Sequence, residues 1–291
     1  MLQFVQLFVN ALAIGSIYAV VALSFEIAYE ATGVVNFATG QLVTVGAFIG
    51  ASSIAYSHAN MPISYAVTFV AMAAVGIAFF ATVFMPLRGK SVVTVIIGTV
   101  AMGIAIQNVS QIVWGPLPAA VPSPLGPAIL HLHGTAIPAH AVFVIAVAAV
   151  LIGGFALLLH RSSIGKQFRA VAQDVEAALL MGIRVRRIHG LTWILVAVLA
   201  GIAGLLLSPM WFIDVSMGDS LALKAFAAAV IGGFGSIPGA ICGGVLVGLC
   251  EMLGAAYVSS AYKDALVFAL MIGFLLLRPQ GIFGERIGDR A

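Results

Sequence analysis

The sequence predicts an all-α fold, a polytopic transmembrane helix bundle of about eight full spans plus a short or re-entrant helix. Three observations predict it. Hydrophobic residues make up 62% of the 291-residue chain and charged residues 8%, against about 25% charged in an ordinary soluble domain. Mean hydropathy is +1.16, so there is too little polar surface to cover a soluble globule, and lipid must be the solvent for most of the chain. The apolar runs are continuous and lack period-two alternation. That excludes a closed barrel and leaves helices, which satisfy their own backbone in hydrocarbon.

A hydrocarbon core of roughly 30 Å takes about 20 helical residues to cross. In chain order the runs are Phe4–Ala28, Val34–Tyr56, Ile63–Phe84, Val92–Val113, His140–His160 and Leu191–Leu207, followed by the regions Leu221–Val258 and Ala265–Leu277. The first has no basic segment before it and reads as a retained span, not a cleaved signal. Between the fourth and fifth runs, Trp114 to Ala139 carries Pro116, Pro118, Pro122, Pro124, Pro127 and Pro138 without a charge. It reads as a rigid, irregular external cap. No soluble domain separates from the rest, so residues 1–291 read as a single transmembrane domain.

The basic residues set the orientation. Arg88 and Lys90, the stretch Arg161 to Arg187, and Arg278, Arg286 and Arg290 together hold eleven of the thirteen Lys and Arg, so these three clusters read as cytoplasmic. Clustering at the ends of apolar runs also means that a net charge of +3 is no nucleic-acid signature. Asp214 and Asp219 then fall outside. An outside position near Asp219 and an inside position at Arg278 cannot be joined by one crossing over 221–258. The turn residues Gly232, Gly233, Gly235, Pro238 and Gly239 resolve this as a helix hairpin. A short arm ends at Ile231, and a second arm, Ala240 to Val258, returns. Helices broken by Gly and Pro at membrane depth line cavities, because the freed backbone groups need partners. Small residues at four-residue spacing (Gly235, Gly239, Gly243; Gly244, Gly248) and the run Ala200 to Gly204 predict close helix packing.

The segment Arg161 to His189 holds eight of the chain's charged residues, six basic and two acidic, between two apolar runs. Within it Glu176-Ala177-Ala178 is followed after three residues by Gly182. This E-A-A-x-x-x-G pattern resembles the coupling loop of ABC importer permeases, where short helices dock on the ATP-hydrolysing subunit. A small-residue face can approach closely, and Arg169, Arg184, Arg186 and Arg187 can pair with an acidic rim. The usual continuation, an isoleucine and a Leu-Pro, is absent. On the loop alone a second reading fits as well: a basic juxtamembrane helix that binds anionic lipid.

Further segments carry a wider resemblance. They are Gly33-Val-Val-Asn36-Phe37-Ala38-Thr39-Gly40 in the second span, Ile164-Gly165-Lys166 with Arg169-Ala170, Lys224-Ala225-Phe226, and Ile231 through Ala240. Tyr262-Lys263-Asp264 and Arg278-Pro279-Gln280-Gly281-Ile282 complete them. In order and spacing these are similar, nearly end to end, to the branched-chain amino acid ABC transporter permease family of the LivH type. The resemblance implies a multi-pass protein of the bacterial inner membrane with no catalytic chemistry of its own. It further implies a related LivM-type permease, two cytoplasmic ATPase subunits and a periplasmic substrate-binding protein as partners. The family commonly shows His and Glu where this chain has Thr39 and Gln41, lacks carboxylates where it has Glu26 and Glu30, and has charges before Pro86-Leu87-Arg88 that are missing here. These departures bear on which solute is carried.

The coupling residues are therefore expected to be Gly165, Arg169, Glu176, Ala177, Ala178 and Gly182. The candidate path residues are Asn36, Phe37, Thr39, Gln41, Glu26 and Glu30. Glu26 and Glu30, four apart on one helix face, have two readings: interfacial residues paired with Arg88 or Lys90, or an exit-side feature for the ammonium of a zwitterionic solute. Glu251 has the same two. Asn36 reads equally as a path residue and as a cap. His131 and His133 lack nearby carboxylates or thiols, which argues against a metal. His160 and His189 read as interfacial, and Cys242 and Cys250 as packing residues. No nucleophile–base set, nucleotide motif or cofactor site is legible, so ATP chemistry belongs on another chain. The alternatives are an ion-coupled secondary transporter using Glu26, Glu30 and Glu251, or the same ABC family carrying urea or amides.

Overall fold

The computed structural model describes residues 2–57, 60–132 and 135–284; His133, Arg286 and Arg290 lie outside them. The chain forms α1 (Leu2–Thr32), α2 (Thr39–Ser57), α3 (Met61–Phe79) continuing through a π-helical segment Phe80–Phe84 into α4 (Met85–Leu87), and α5 (Val92–Trp114). Strands β1 (Ile129–Leu132) and β2 (Thr135–Pro138) follow, then α6 (Ala139–Arg161), α7 (Ser163–Gln173), α8 (Val175–Leu180) and α9 (Val185–Leu207). The chain ends with α10 (Met217–Gly232), α11 (Ile237–Tyr257) and α12 (Lys263–Leu277). Among the described residues seven helices are long and apolar enough to cross a membrane, and α2 is a shorter apolar helix. At about 1.5 Å per residue the 16 residues of α10 fall short of roughly 30 Å of hydrocarbon.

Two compact units emerge, one of Met1–Glu26, Pro122–Ala149 and Leu223–Ala291, the other of Ile27–Val121 and Val150–Ala222. The second is built around α9, which is buried along most of its length and packs on α2 and α3. The small residues foreseen there permit it. A Cβ at Gly204 would overlap the carbonyl oxygen of Val43, and one at Gly46 would overlap the backbone of Gly201. Backbones in such contact gain dispersion and weak hydrogen bonds that lipid cannot compete for. Beside this crossing, Trp193 packs on Phe79 at 4.9 Å and on Phe84 at 5.5 Å between ring centroids. His189 stands edge-on to Phe84 at 5.1 Å and is buried within the protein. His160 is exposed, with Nδ1 3.3 Å from the Arg169 guanidinium.

In the first unit α11 lies against α1 where Gly244 and Gly248 meet Ala19, Gly15 and Ala11. The α10–α11 turn is tighter than the sequence suggests. Gly232 ends α10, whereas Pro238 and Gly239 belong to the first turn of α11, where proline's missing N–H is harmless. Gly233 and Gly235 have φ of 98° and 86°, the region in which a side chain is strained. Three contacts satisfy the broken backbone. Ser236 Oγ accepts from Gly239 N at 3.2 Å, and the Glu26 carboxylate accepts from Gly235 N at 2.5 Å. The C-terminal segment donates from Ile282 N to Ile231 O and from Phe283 N to Gly232 O, both 2.9 Å. Ile282-Phe283 is thus a cap for α10.

A charge cluster ties the hairpin to its neighbours. Lys224 Nζ on α10 lies 2.6 Å from Glu251 Oε1 on α11 and 2.8 Å from Asp264 Oδ1 on α12. Lys263 Nζ is 3.4 Å from the same Glu251 oxygen, and Tyr18 OH on α1 donates to Glu251 Oε2 at 2.5 Å. Glu251 is therefore buried and ion-paired, with Lys224 and Lys263 as its partners in place of Arg88 or Lys90.

Three further departures stand out. The second helix begins at Thr39, because 33–38 is a turn. The third run ends in a π segment. The proline-rich connection is not wholly irregular: β1 pairs antiparallel with β2, Ile129 opposite Pro138 and Leu132 opposite Thr135. Nearer its start, Ala119 and Ile213 exchange backbone hydrogen bonds of 2.9 and 2.8 Å.

Removing one partner of a buried ion pair costs about 3–5 kcal/mol, because a charge is left without compensation. Lys224→Met should accordingly lower the thermal midpoint of the detergent-purified protein sharply. Lys224→Met combined with Glu251→Met should recover most of the loss. Equal loss in the single and double variants would show that the two residues do not act as a pair.

Candidate translocation and coupling sites

The predicted path residues divide. Asn36, Phe37, Thr39 and Gln41 converge with residues from α5 and α10. Gly33, at φ 72°, ends α1, and Asn36 restarts the helix: its side-chain oxygen accepts from Ala38 N at 3.1 Å, while its carbonyl accepts from the Thr39 hydroxyl at 2.8 Å. Asn36 is buried, and the capping reading describes its oxygen. Its Nδ2 is buried with no hydrogen-bond partner, so the path reading keeps a donor. Phe37 N donates to Thr99 Oγ1 on α5 at 3.3 Å, and the Phe37 ring is partly exposed.

One turn further, Gln41 Nε2 donates to Asp219 Oδ1 at 2.5 Å, and Gln107 Nε2 donates to Asp219 Oδ2 at 3.1 Å and to Val215 O at 3.3 Å. The first turns of α2 and α10 can cross this closely because Gly40 and Gly218 face each other without side chains. Gly218 N donates to Thr44 Oγ1 at 3.1 Å across the same crossing. Two neutral amides thus hold an exposed carboxylate. They leave its charge uncompensated, so it can accept from a cationic group.

Sequence reasoning used Asp219 for orientation alone and passed over Gln107. The available signal was an amide inside an apolar run, which needs a polar partner in lipid. Glu26 belongs elsewhere, buried beneath the 233–236 turn, and not at an exposed interface. Glu30 is half-buried and joins neither cluster; Arg88 and Lys90 are exposed, and no ion pair joins them to Glu30 among the described residues.

The charged loop folds as two short helices. Ser162 caps α7 by accepting from Gly165 N at 2.9 Å. Asp174 caps α8 by accepting from Glu176 N and Ala177 N at 2.8 and 3.0 Å. Gly182, φ 78°, closes α8, with Gly182 N donating to Leu179 O and Ile183 N to Ala178 O, both 3.0 Å. This left-handed cap is the reason for a glycine at that position.

The expected docking residues therefore separate. Glu176, Ala177, Gly182 and Arg169 are exposed. Ala178 is buried, and Gly165 is buried where any Cβ would overlap the Leu158 and Leu159 carbonyls of α6. Those two position the loop and cannot form a free docking face. The exposed tip is instead apolar, with Leu180 91% and Met181 82% exposed and Leu179 beside them.

Comparison with known proteins identifies the family. A family model described as branched-chain amino acid transport system, permease component, matches residues 7–275. The BraD permease protein of a high-affinity branched-chain amino acid transport system in Pseudomonas aeruginosa is 33% identical, covering 97% of this chain and 96% of BraD. The LivH permease protein of Escherichia coli K12 is 32% identical, over 98% of this chain and 96% of its own. A probable branched-chain amino acid permease from Methanocaldococcus jannaschii is 30% identical, over 94% and 91%. No solved structure matches the chain significantly. With the hairpin, the capped E-A-A helix and a family match along nearly its whole length, the chain belongs to the branched-chain amino acid transport system permease family.

Proposed function

We propose that this chain is the permease subunit of a binding-protein-dependent ABC importer that carries branched-chain or related amino acids across the bacterial inner membrane. The α7–α8 loop faces the cytoplasm and receives the stroke of two ATPase subunits. A second, LivM-type permease completes the membrane pathway, and a periplasmic binding protein delivers the solute.

The observation that carries the coupling role is the apolar tip Leu179–Met181. Two adjacent large apolar side chains, 91% and 82% exposed on the chain alone beside exposed Leu179, form a patch that supports a covering partner. The surrounding caps make α8 rigid, so force applied at the tip reaches α9 directly. An ion-coupled carrier would need titrating carboxylates free to exchange protons or cations. Of the three carboxylates that reading would use, Glu26 and Glu251 are committed to the hairpin turn and the charge cluster, which leaves Glu30 alone. In the path, Asp219 held by Gln41 and Gln107 is the acceptor for the solute's ammonium group.

Leu180→Glu with Met181→Glu should abolish co-purification of the ATPase subunits while leaving the permease folded by circular dichroism; unchanged association would remove the tip from the interface. Uptake should be blocked by vanadate and resist protonophores, and the opposite pattern would restore the secondary carrier. A charge-assisted hydrogen bond contributes about 1.5–3 kcal/mol. Asp219→Asn should therefore raise the uptake KM roughly 10- to 100-fold, with ATPase co-purification intact. An unaltered KM would exclude Asp219 from the path.

A further inference from the structure

At the start of α9 the surface of the second unit carries a groove that neither the coupling tip nor the path uses. It encloses about 610 Å³ and runs between α3 and the first turns of α9. Its apolar lining is Ile77, Phe80, Leu191 and Ile194. Two local features open it. At Phe80 the α3 helix widens into its π segment, a distortion common at functional sites. Opposite, Gly190 leaves the ring uncovered, since a Cβ there would stand 3.6 Å from Phe80 Cε1.

Arg184, Arg186 and Arg187 line the groove at its loop end. All three are exposed. Every ion pair among the described residues involves Lys224 or Lys263, and none of the three guanidinium groups has a carboxylate partner among those residues. Arg187, Gly190, Leu191 and Ile194 follow helical spacing along one stripe of α9. The stripe therefore changes from cationic to apolar within two turns, about 10 Å. That is the profile of a phospholipid at the membrane boundary, with phosphate outermost and acyl chain within.

We propose that this groove is a binding site for an anionic phospholipid of the leaflet on the loop side. The guanidinium groups donate to the headgroup phosphate, for which their planar fork is suited. The upper acyl chain lies on Phe80 between Ile77 and Ile194. A zwitterionic lipid offers the same phosphate but brings its own ammonium into the arginine cluster, so the site discriminates by net charge. The bound lipid holds the start of α9 against the π segment, immediately behind the tip that meets the ATPase.

Native mass spectrometry of the assembled transporter, purified in phosphatidylcholine with added phosphatidylglycerol, tests this. The wild type should retain phosphatidylglycerol roughly 10- to 100-fold in preference to phosphatidylcholine, and added salt should reduce the preference. Arg184→Gln, Arg186→Gln and Arg187→Gln together should abolish it, with Arg161, Lys166 and Arg169 left to maintain topology. Gly190→Leu keeps every charge and fills the groove, and should lower phosphatidylglycerol retention several-fold. Equal retention of the two lipids by the wild type would overturn the proposal. So would full retention in both variants. A triple variant that sheds the ATPase yet keeps its phosphatidylglycerol would assign the arginines to protein docking instead.

Discussion

In hydrocarbon an unpaired peptide N–H or C=O costs several kcal/mol, and that constraint shapes each place where this chain leaves regular helix. At 33–38 the interruption is closed by Asn36 accepting from Ala38 N and by Thr99 accepting from Phe37 N. At the hairpin turn the Gly235 N–H is taken by Glu26, and the last carbonyls of α10 are taken by Ile282 and Phe283. In the π segment the Met85 N–H reaches back to Phe80 O, so the ladder is displaced and not cut. The first two repairs each draw a polar side chain or a second backbone segment to the break, whereas the π segment is closed by its own backbone.

Two sets of buried or part-buried charge follow, with different consequences. Lys224, Lys263, Glu251 and Asp264 form a set of two cations and two anions, joined by Tyr18. Opposite charges at these distances compensate one another, and the set links α1, α10, α11 and α12. Compensation of that kind suits a fixed joint, since moving any member exposes the others. Asp219 contrasts with it. Its neighbours Gln41 and Gln107 supply hydrogen bonds without charge, so the carboxylate is oriented but not neutralised. Asp219 is left able to accept from a cation, whereas Glu251 already meets two.

Elements that declare themselves through local pattern were legible in the sequence. Apolar length located the spans, the glycines located the hairpin, and the E-A-A spacing located the loop, because each is encoded within a few residues. Pairings between distant segments were not. Glu26 meets a backbone group 209 positions away, Gln41 an acid 178 positions away, and Tyr18 an acid 233 positions away. Helical periodicity reports neighbours three or four residues apart and is silent on these. The late start of α2 was hidden for another reason. Gly33 to Ala38 is apolar apart from Asn36, so hydropathy runs smoothly through a backbone break that only the capping chemistry of Asn36 reveals.

The loop shows why a pattern can locate a site without naming its contacts. In Glu176-Ala177-Ala178-x-x-x-Gly182, the Ala178 side chain faces the protein's own interior, and Gly182 is needed by the left-handed turn that ends α8. Both serve the local geometry. The residues left on the surface by that geometry are the unspecified ones, Leu179, Leu180 and Met181. A helix with a fixed cap at each end projects whatever occupies its last turn, so the pattern guarantees presentation while the x positions supply the apolar area. The arginines that follow stand on a different element, the start of α9, with the groove over Phe80 beneath them. What reads in sequence as one charged island is, in three dimensions, an apolar tip and a cationic shelf that can be addressed by different partners.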